Sequence, residues 1–437
     1  MKRQQLIAVG AISLGLILMS GVRAQESADQ GPNPFALAPA TKLTYDSEYP
    51  LMHYGRTPTH NAIARLQQRL AAGQVKLTYS APRGYLDSLL QALAIDPSSQ
   101  VLVYSKTSLQ KGEISAATPR ALYFDAETYV GYVQNGANLE LGAMDSELGQ
   151  VFYALPNLSP AAPKLQRETL TCLACHDTYE NSGGGVPRFL LMSSYVDIHG
   201  NQLTHEDSIL TTDETPIESR WGGWYVTGQT GKQVHVGNIL VTNVQQLVKL
   251  DAVRRGNIDS LEGLFNTKPY LTDKSDVVAL LVLQHQETVQ NLLTRVSFEV
   301  RKALAQAGNK PATLAPKRQQ ELKGFMDDLA NAMLFVDAVP YTDVISGNSG
   351  FAAWFQQQGI KDGQGRSLRE LDLKTRLLRY PLSYLVYTPA FEGLPEYARD
   401  YLFGRFAAVL REHHETTTLQ ILAATQPAFA QYLAKHP

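Results

Sequence analysis

The chain predicts an α+β fold, with a β-rich N-terminal part, an irregular middle segment and a mostly helical C-terminal part. Three observations predict it. Between residues 101 and 155, five short runs rich in Val, Leu, Tyr and Phe recur, punctuated by Gly, Asn, Asp and Pro. From about residue 276 onward, apolar residues return at helical spacing. Between them, residues 165–245 hold no sustained period, yet they carry both cysteines and two of the three tryptophans.

The elements follow in order. Met1 to Gln5 is short and positive, residues 6–21 are apolar and uncharged, and Val22-Arg23-Ala24 ends in a small residue. This pattern predicts a secretory signal peptide over residues 1–24. Its apolar run of 16 residues is shorter than the ~20 a spanning helix needs. Residues 25–45 read as a flexible lead-in. Helices are expected over 61–72 and 85–94. The runs 101–105, 120–124, 129–133, 139–143 and 151–155 predict an antiparallel meander or small sandwich. A strand-like run covers 189–197, with a turn at His199-Gly200-Asn201 and a hairpin connection over 227–232. The longest expected helix, 276–304, aligns Val278, Leu281, His285, Val289, Leu292 and Val296. Further helices are expected over 322–336, 367–378, 397–410 and 416–424. The domain reading is therefore 1–24 signal peptide, 25–45 lead-in, 46–160 β-rich domain, 161–245 site-bearing segment and 246–437 helical domain.

Composition narrows the class. Cleavage after Ala24 would leave 413 residues and remove Lys2, Arg3 and Arg23, moving the formal charge from −2 to −5. Mild acidity with no basic block argues against a nucleic-acid partner. No other stretch approaches the length of a transmembrane helix, so no spanning segment is expected after signal cleavage. At 44% hydrophobic residues the chain can build a core far larger than one small carrier domain needs.

The chemistry concentrates at Cys172-Leu-Ala-Cys-His176, which contains the only two cysteines. Cys-x-x-Cys-His is the attachment signature of a c-type haem. Two thiols add to the two vinyl groups along one porphyrin edge, and the following imidazole lies beneath the ring. Cys172 and Cys175 are thus expected to hold one covalent haem c, with His176 as proximal iron ligand. Three other uses of the pair stand beside this one: a structural disulfide, a thioredoxin-like redox couple and part of a zinc site. The redox couple normally follows a strand and opens a helix, whereas 157–163 is loop-like. Zinc would need more ligands. Export to the periplasm suits the haem reading.

The sixth iron position is expected to be a Met, a His or an open site. No Met lies between residues 210 and 250. Met192, 16 residues after His176, reads as a buried strand residue, and Met326 and Met333 as core. His235, 59 residues after His176, is the expected distal ligand, and His285 is the second choice. His199 and His205 read as surface, and His413 and His414 as a helix end. Trp221, Trp224 and Arg220 would suit a dry haem edge and a propionate partner, or ordinary packing.

Beyond the motif and signal peptide, which resemble c-type cytochromes in general, three runs resemble stretches of large exported bacterial proteins. These are described only as cytochrome-c-domain or uncharacterised proteins. The runs are Pro119-Arg-Ala-Leu-Tyr-Phe124, Arg220-Trp-Gly-Gly-Trp-Tyr-Val-Thr-Gly228 and Leu371-Asp-Leu-Lys-Thr-Arg-Leu-Leu-Arg-Tyr-Pro381. The similarity spans nearly the whole mature chain and implies no particular reaction. The chain departs from small cytochromes in lacking a distal Met at the usual distance, and from two-haem bacterial peroxidases in having one motif. The expectation is a monohaem electron-transfer protein working with a redox partner protein or small molecule. The alternative is a haem oxidase, peroxidase, dehydrogenase or sensor with an open or displaceable sixth position.

Overall fold

Strand-forming and helix-forming residues segregate along this chain, and so do the elements. A computed structural model describes residues 51–160, 164–177, 186–204 and 208–436. The signal peptide and lead-in readings, His205 and the glycines after Asn181 lie outside the described residues. The molecule is α+β, with an antiparallel sheet in the N-terminal half and helices in the C-terminal part.

Two helices, α1 (Ala62–Ala71) and α2 (Leu86–Leu93), precede the sheet. Asn61 caps α1 by accepting from the Ala64 N–H, and Ala72 and Ala94 close the two helices. The strands are β1 (Val101–Val103), β2 (Arg120–Phe124), β3 (Thr128–Tyr132), β4 (Asn138–Asp145), β5 (Gly149–Pro156) and β6 (Gln166–Glu168). They pair in sequence order as a meander, as the evenly spaced turn residues predicted. Asp145 accepts from the N–H groups of Glu147 and Leu148 at the β4–β5 turn, and Gly149 takes the positive φ of +68° that the turn needs. A short pair, β7 (Met192–Ser193) and β8 (Ile209–Leu210), is separate, and β9 (Trp224–Tyr225) adds to the free edge of β1. The long expected strand over 189–197 is thus broken: Met192–Ser193 pair with β8, and Val196 and Asp197 form only isolated bridges to Gln202 and Val241.

Helix α3 (Val277–Gln306) lies on one sheet face, and its first half is buried almost all round. Asp276 caps it, accepting from Val278 and Ala279, and the same carboxylate accepts from Asn348 and Ser349. Polar side chains tie it to the sheet: Gln290 donates to the Ala126 carbonyl and accepts from the Tyr129 hydroxyl, and Thr294 donates to Gln150. The remaining helices longer than one turn among the described residues are α4 (Pro316–Met333), α5 (Phe351–Gln357), α6 (Glu396–Glu412), α7 (Thr416–Thr425) and α8 (Pro427–Lys435). One continuous core, from Met52 to Phe429, joins residues of the sheet, the middle segment and the helices.

Two expectations fail. Residues 367–378 do not form a helix. Asp372 accepts from the Lys374 and Thr375 N–H groups, and Leu371 bridges to Leu378, so side-chain-to-backbone bonding wins over helical periodicity. Residues 227–232 do not link a hairpin either, because Thr227, Gly228 and Gln229 bridge to Asp276, Ile258 and Ser346.

Candidate functional site

The chain after β6 turns once through Leu173–His176, a single helical turn entered from Cys172. The His176 N–H donates to the Cys172 carbonyl at 3.0 Å, and the Cys175 N–H does so at 3.2 Å. Both thiols and the imidazole therefore spring from one turn. Arg188 then clamps the histidine. Its N–H donates to the His176 carbonyl at 2.9 Å, and its own carbonyl meets His176 Nδ1 at 2.6 Å. A carbonyl can only accept, so Nδ1 carries the proton and the lone pair sits on Nε2. Burial lowers the His176 pKa to about 4, against the opposing effect of the Arg188 carbonyl, so the ring is neutral at pH 7. Nδ1 is the only ring atom of His176 hydrogen-bonded among the described residues.

The sheet supplies the wall. Phe152 on β5 lies 4.6 Å from the His176 ring, centroid to centroid, at 34°. Its cross-strand neighbour on β4 is Gly142, and Gly131 on β3 faces Glu140. Both glycines mark close approaches inside strands. A Cβ on Gly142 would stand 2.6 Å from the Phe189 ring, and one on Gly131 would stand 2.7 Å from the Arg120 guanidinium. Arg120 crosses β3 over Gly131 to pair with Glu140 at 2.7 Å. That pair lies within electrostatic reach of both Cys172 and His176. Glu287 on α3 is buried within reach of Arg120, its Oε2 has no hydrogen-bond partner among the described residues, and burial raises its pKa to about 8. Asn291 on the same helix holds Phe189 through its backbone N–H and carbonyl.

The cysteines are half-buried, and burial raises Cys172 to about 12 and Cys175 to about 11. A redox-active Cys-x-x-Cys pair has a lowered thiol pKa, opposite to the direction in which burial moves both thiols here. No group of three or more His, Cys, Asp or Glu placed for a metal ion occurs among the described residues, so the zinc reading lacks its further ligands there. A haem iron takes four nitrogens from its porphyrin and needs only one or two protein ligands. A carbonyl-bonded Nδ1 with the lone pair on Nε2, one turn from two thiols, fits such a group.

The sixth-position candidates are otherwise engaged. His235 is 2% exposed, and its Nδ1 accepts from the Gly237 N–H at 3.1 Å. The proton therefore sits on Nε2, which is buried without a partner among the described residues, the reverse of His176. The ring packs edge-on against Trp221 at 5.4 Å. Trp221 and Trp224 are core residues, and the Trp224 Nε1 donates to the Met192 carbonyl. The two glycines between them are spatial requirements, since a Cβ on Gly222 would meet the Ser194 carbonyl at 2.7 Å.

His285 is fully buried, and both its ring nitrogens are spent. Nδ1 donates to Asp213 Oδ2 at 2.6 Å, and Nε2 is hydrogen-bonded to the Ser383 hydroxyl at 2.8 Å. Phe335 stacks on its ring at 4.3 Å. This Asp-His-Ser chain has the connectivity of a catalytic triad. Ser383, however, is wholly buried, its Oγ also accepts from the Leu385 N–H, and its own N–H is tied to the Met333 carbonyl. It is built as a structural tie between α3, the 213 loop and the 383 turn. Sequence reasoning missed both Asp213 and Ser383, which lie 72 and 98 residues from His285. It also missed Arg188, whose contribution is a backbone carbonyl and leaves no side-chain signal. No helix among the described residues is long and apolar enough to cross a membrane. No family model, curated protein or solved structure matches this chain.

Proposed function

We propose that this protein is a periplasmic monohaem c-type cytochrome acting in electron transfer, with haem c held covalently through Cys172 and Cys175 and His176 as proximal iron ligand. The observation that carries the reading is the His176 ring, neutral, hydrogen-bonded through Nδ1 to the Arg188 carbonyl, on the same turn as both thiols. Haem supplies an iron that exchanges single electrons between its ferrous and ferric states. The residues supply the rest. Arg188 fixes the ring orientation and tautomer and raises the basicity of Nε2. Phe152 and Phe189 supply apolar surface that excludes water. The Arg120–Glu140 pair sets the local field. A redox partner protein or small molecule is the exchange partner.

A displaceable sixth position is the second reading. It is favoured by the engagement of His235 through Gly237 and of His285 through Asp213 and Ser383. It would make the protein a haem oxidase, peroxidase, dehydrogenase or sensor. Optical spectra of the purified full chain, oxidised and reduced, with and without carbon monoxide, separate the two. Reduced bands unmoved by carbon monoxide support two protein ligands and electron transfer. A shift on adding carbon monoxide supports the open site. No haem spectrum in protein matured in the periplasm sinks both.

A further inference from the structure

Far along the chain from the Cys172 turn, a cavity of about 440 Å³ opens between the 213–220 loop, the segment after α4, the turn at Thr375 and the C-terminal end of α6. That volume falls in the range of small-ligand sites. Its walls are mainly aliphatic: Leu334, Val339, Leu377, Val409 and Leu410. Its inner wall is Phe335, a non-glycine residue held at a φ of +56°, whose ring covers His285. Backbone strain of this kind is kept where the surroundings impose it and often lines sites.

The polar feature is Arg220, which lines the cavity while only 1% exposed. Its Nε donates to the Thr215 carbonyl at 2.7 Å, its Nη2 donates to the Asp213 carbonyl at 3.0 Å, and the Tyr341 hydroxyl lies beside it. Neutral oxygens thus hold a buried cation. The nearest acid, Asp213, is close enough to act on Arg220 electrostatically, but its carboxylate hydrogen bonds go to His285 at 2.6 Å and Gln284 at 3.1 Å. The other ionisable groups at the cavity are Arg376, Glu415 and His413. Glu415 already pairs with Arg376, at 3.5 Å. The acids are spent, whereas Arg220 commits two of its five N–H groups to carbonyls and meets Tyr341 with one more, so its remaining N–H groups favour an anion over a cation. A planar carboxylate matches the end-on Nη1–Nη2 edge, the Nε edge being already used. The aliphatic walls select one charge on an apolar body rather than a hydrated dianion.

We propose that this cavity binds a small aliphatic monocarboxylate, its carboxylate on Arg220 and its chain along the aliphatic wall. The proposal does not depend on the haem reading. The test is calorimetric titration of the full chain with octanoate, with octanamide as a neutral isostere and acetate as a tail-less acid. Octanoate should bind one per chain, and both controls should bind at least about tenfold more weakly. Arg220→Gln should weaken octanoate about tenfold and bring it level with octanamide. Arg220 also holds its own loop, so Val409→Trp is the second variant. It fills the cavity from the regular backbone of α6, leaves Arg220 untouched and should abolish octanoate binding. Equal affinity for octanoate and octanamide, undiminished binding in Val409→Trp, or no binding at millimolar octanoate would overturn the proposal.

Discussion

His176 and His285 begin alike and end differently. Both donate from Nδ1 to an oxygen at 2.6 Å. In His285 the second nitrogen, Nε2, meets the Ser383 hydroxyl, deep in the core. In His176 the neutral ring keeps its lone pair on Nε2, no described residue takes it, and the ring stands one turn from two thiols. His235 is the third case, with its lone pair on Nδ1 and given to Gly237. A buried histidine is made structural or ligating by what its second nitrogen meets, and burial alone does not separate the two.

The largest break in this comparison comes at the thiols. Cys172→Ala with Cys175→Ala should remove all covalent haem, read as loss of haem staining on a denaturing gel. His285→Ala should leave the staining of folded protein unchanged. Next is the His285 cluster itself. Asp213→Ala removes one partner of a buried charged hydrogen bond and should cost roughly 3–5 kcal/mol of unfolding free energy by denaturant titration. A change below 1 kcal/mol would show that the cluster is not the core tie described.

The third effect is pH-dependent. Burial, with Arg254 adding to it, lowers His235 to about 4 from an ordinary 6.5. Between those values the unfolded chain binds the proton more readily than the folded one. The stability is therefore full above about pH 6.5 and is lost as pH falls through 4. The drop amounts to roughly 3 kcal/mol. His235→Phe should flatten that limb, and an unchanged acid profile would contradict the assignment. Gly142→Ala places a methyl against Phe189 and should cost about 1–3 kcal/mol by overpacking, with a changed haem environment. Smallest is Trp224→Phe, which loses the indole bond to the Met192 carbonyl and should cost about 1 kcal/mol.

Much of the frame was legible. The short β-rich runs gave β2 to the residue and β3, β4 and β5 nearly so, because turn residues bound each of them, although β3 is buried at every position rather than on one face. Helix α3 was legible from its stripe, although that stripe does not predict burial on nearly every side. The edge strand β9 and the short β6 were not, since two or three residues carry no period. The expected helix over 367–378 went wrong because the Asp372 side chain offers its backbone a competing set of bonds. At the site, the Cys-x-x-Cys-His spacing places the thiols and ring by local geometry. The choice of Nε2 depends on Arg188, twelve residues away, and the exclusion of His285 depends on Asp213 and Ser383. No local pattern encodes those contacts.

The most direct test of the central claim is the intact mass of the denatured full chain, exported and matured in the periplasm, followed by peptide mapping. The account predicts a mass increased by one haem, located on the peptide containing Cys172, Cys175 and His176. An unmodified mass, or one lower by two hydrogens from a Cys172–Cys175 disulfide, would contradict it.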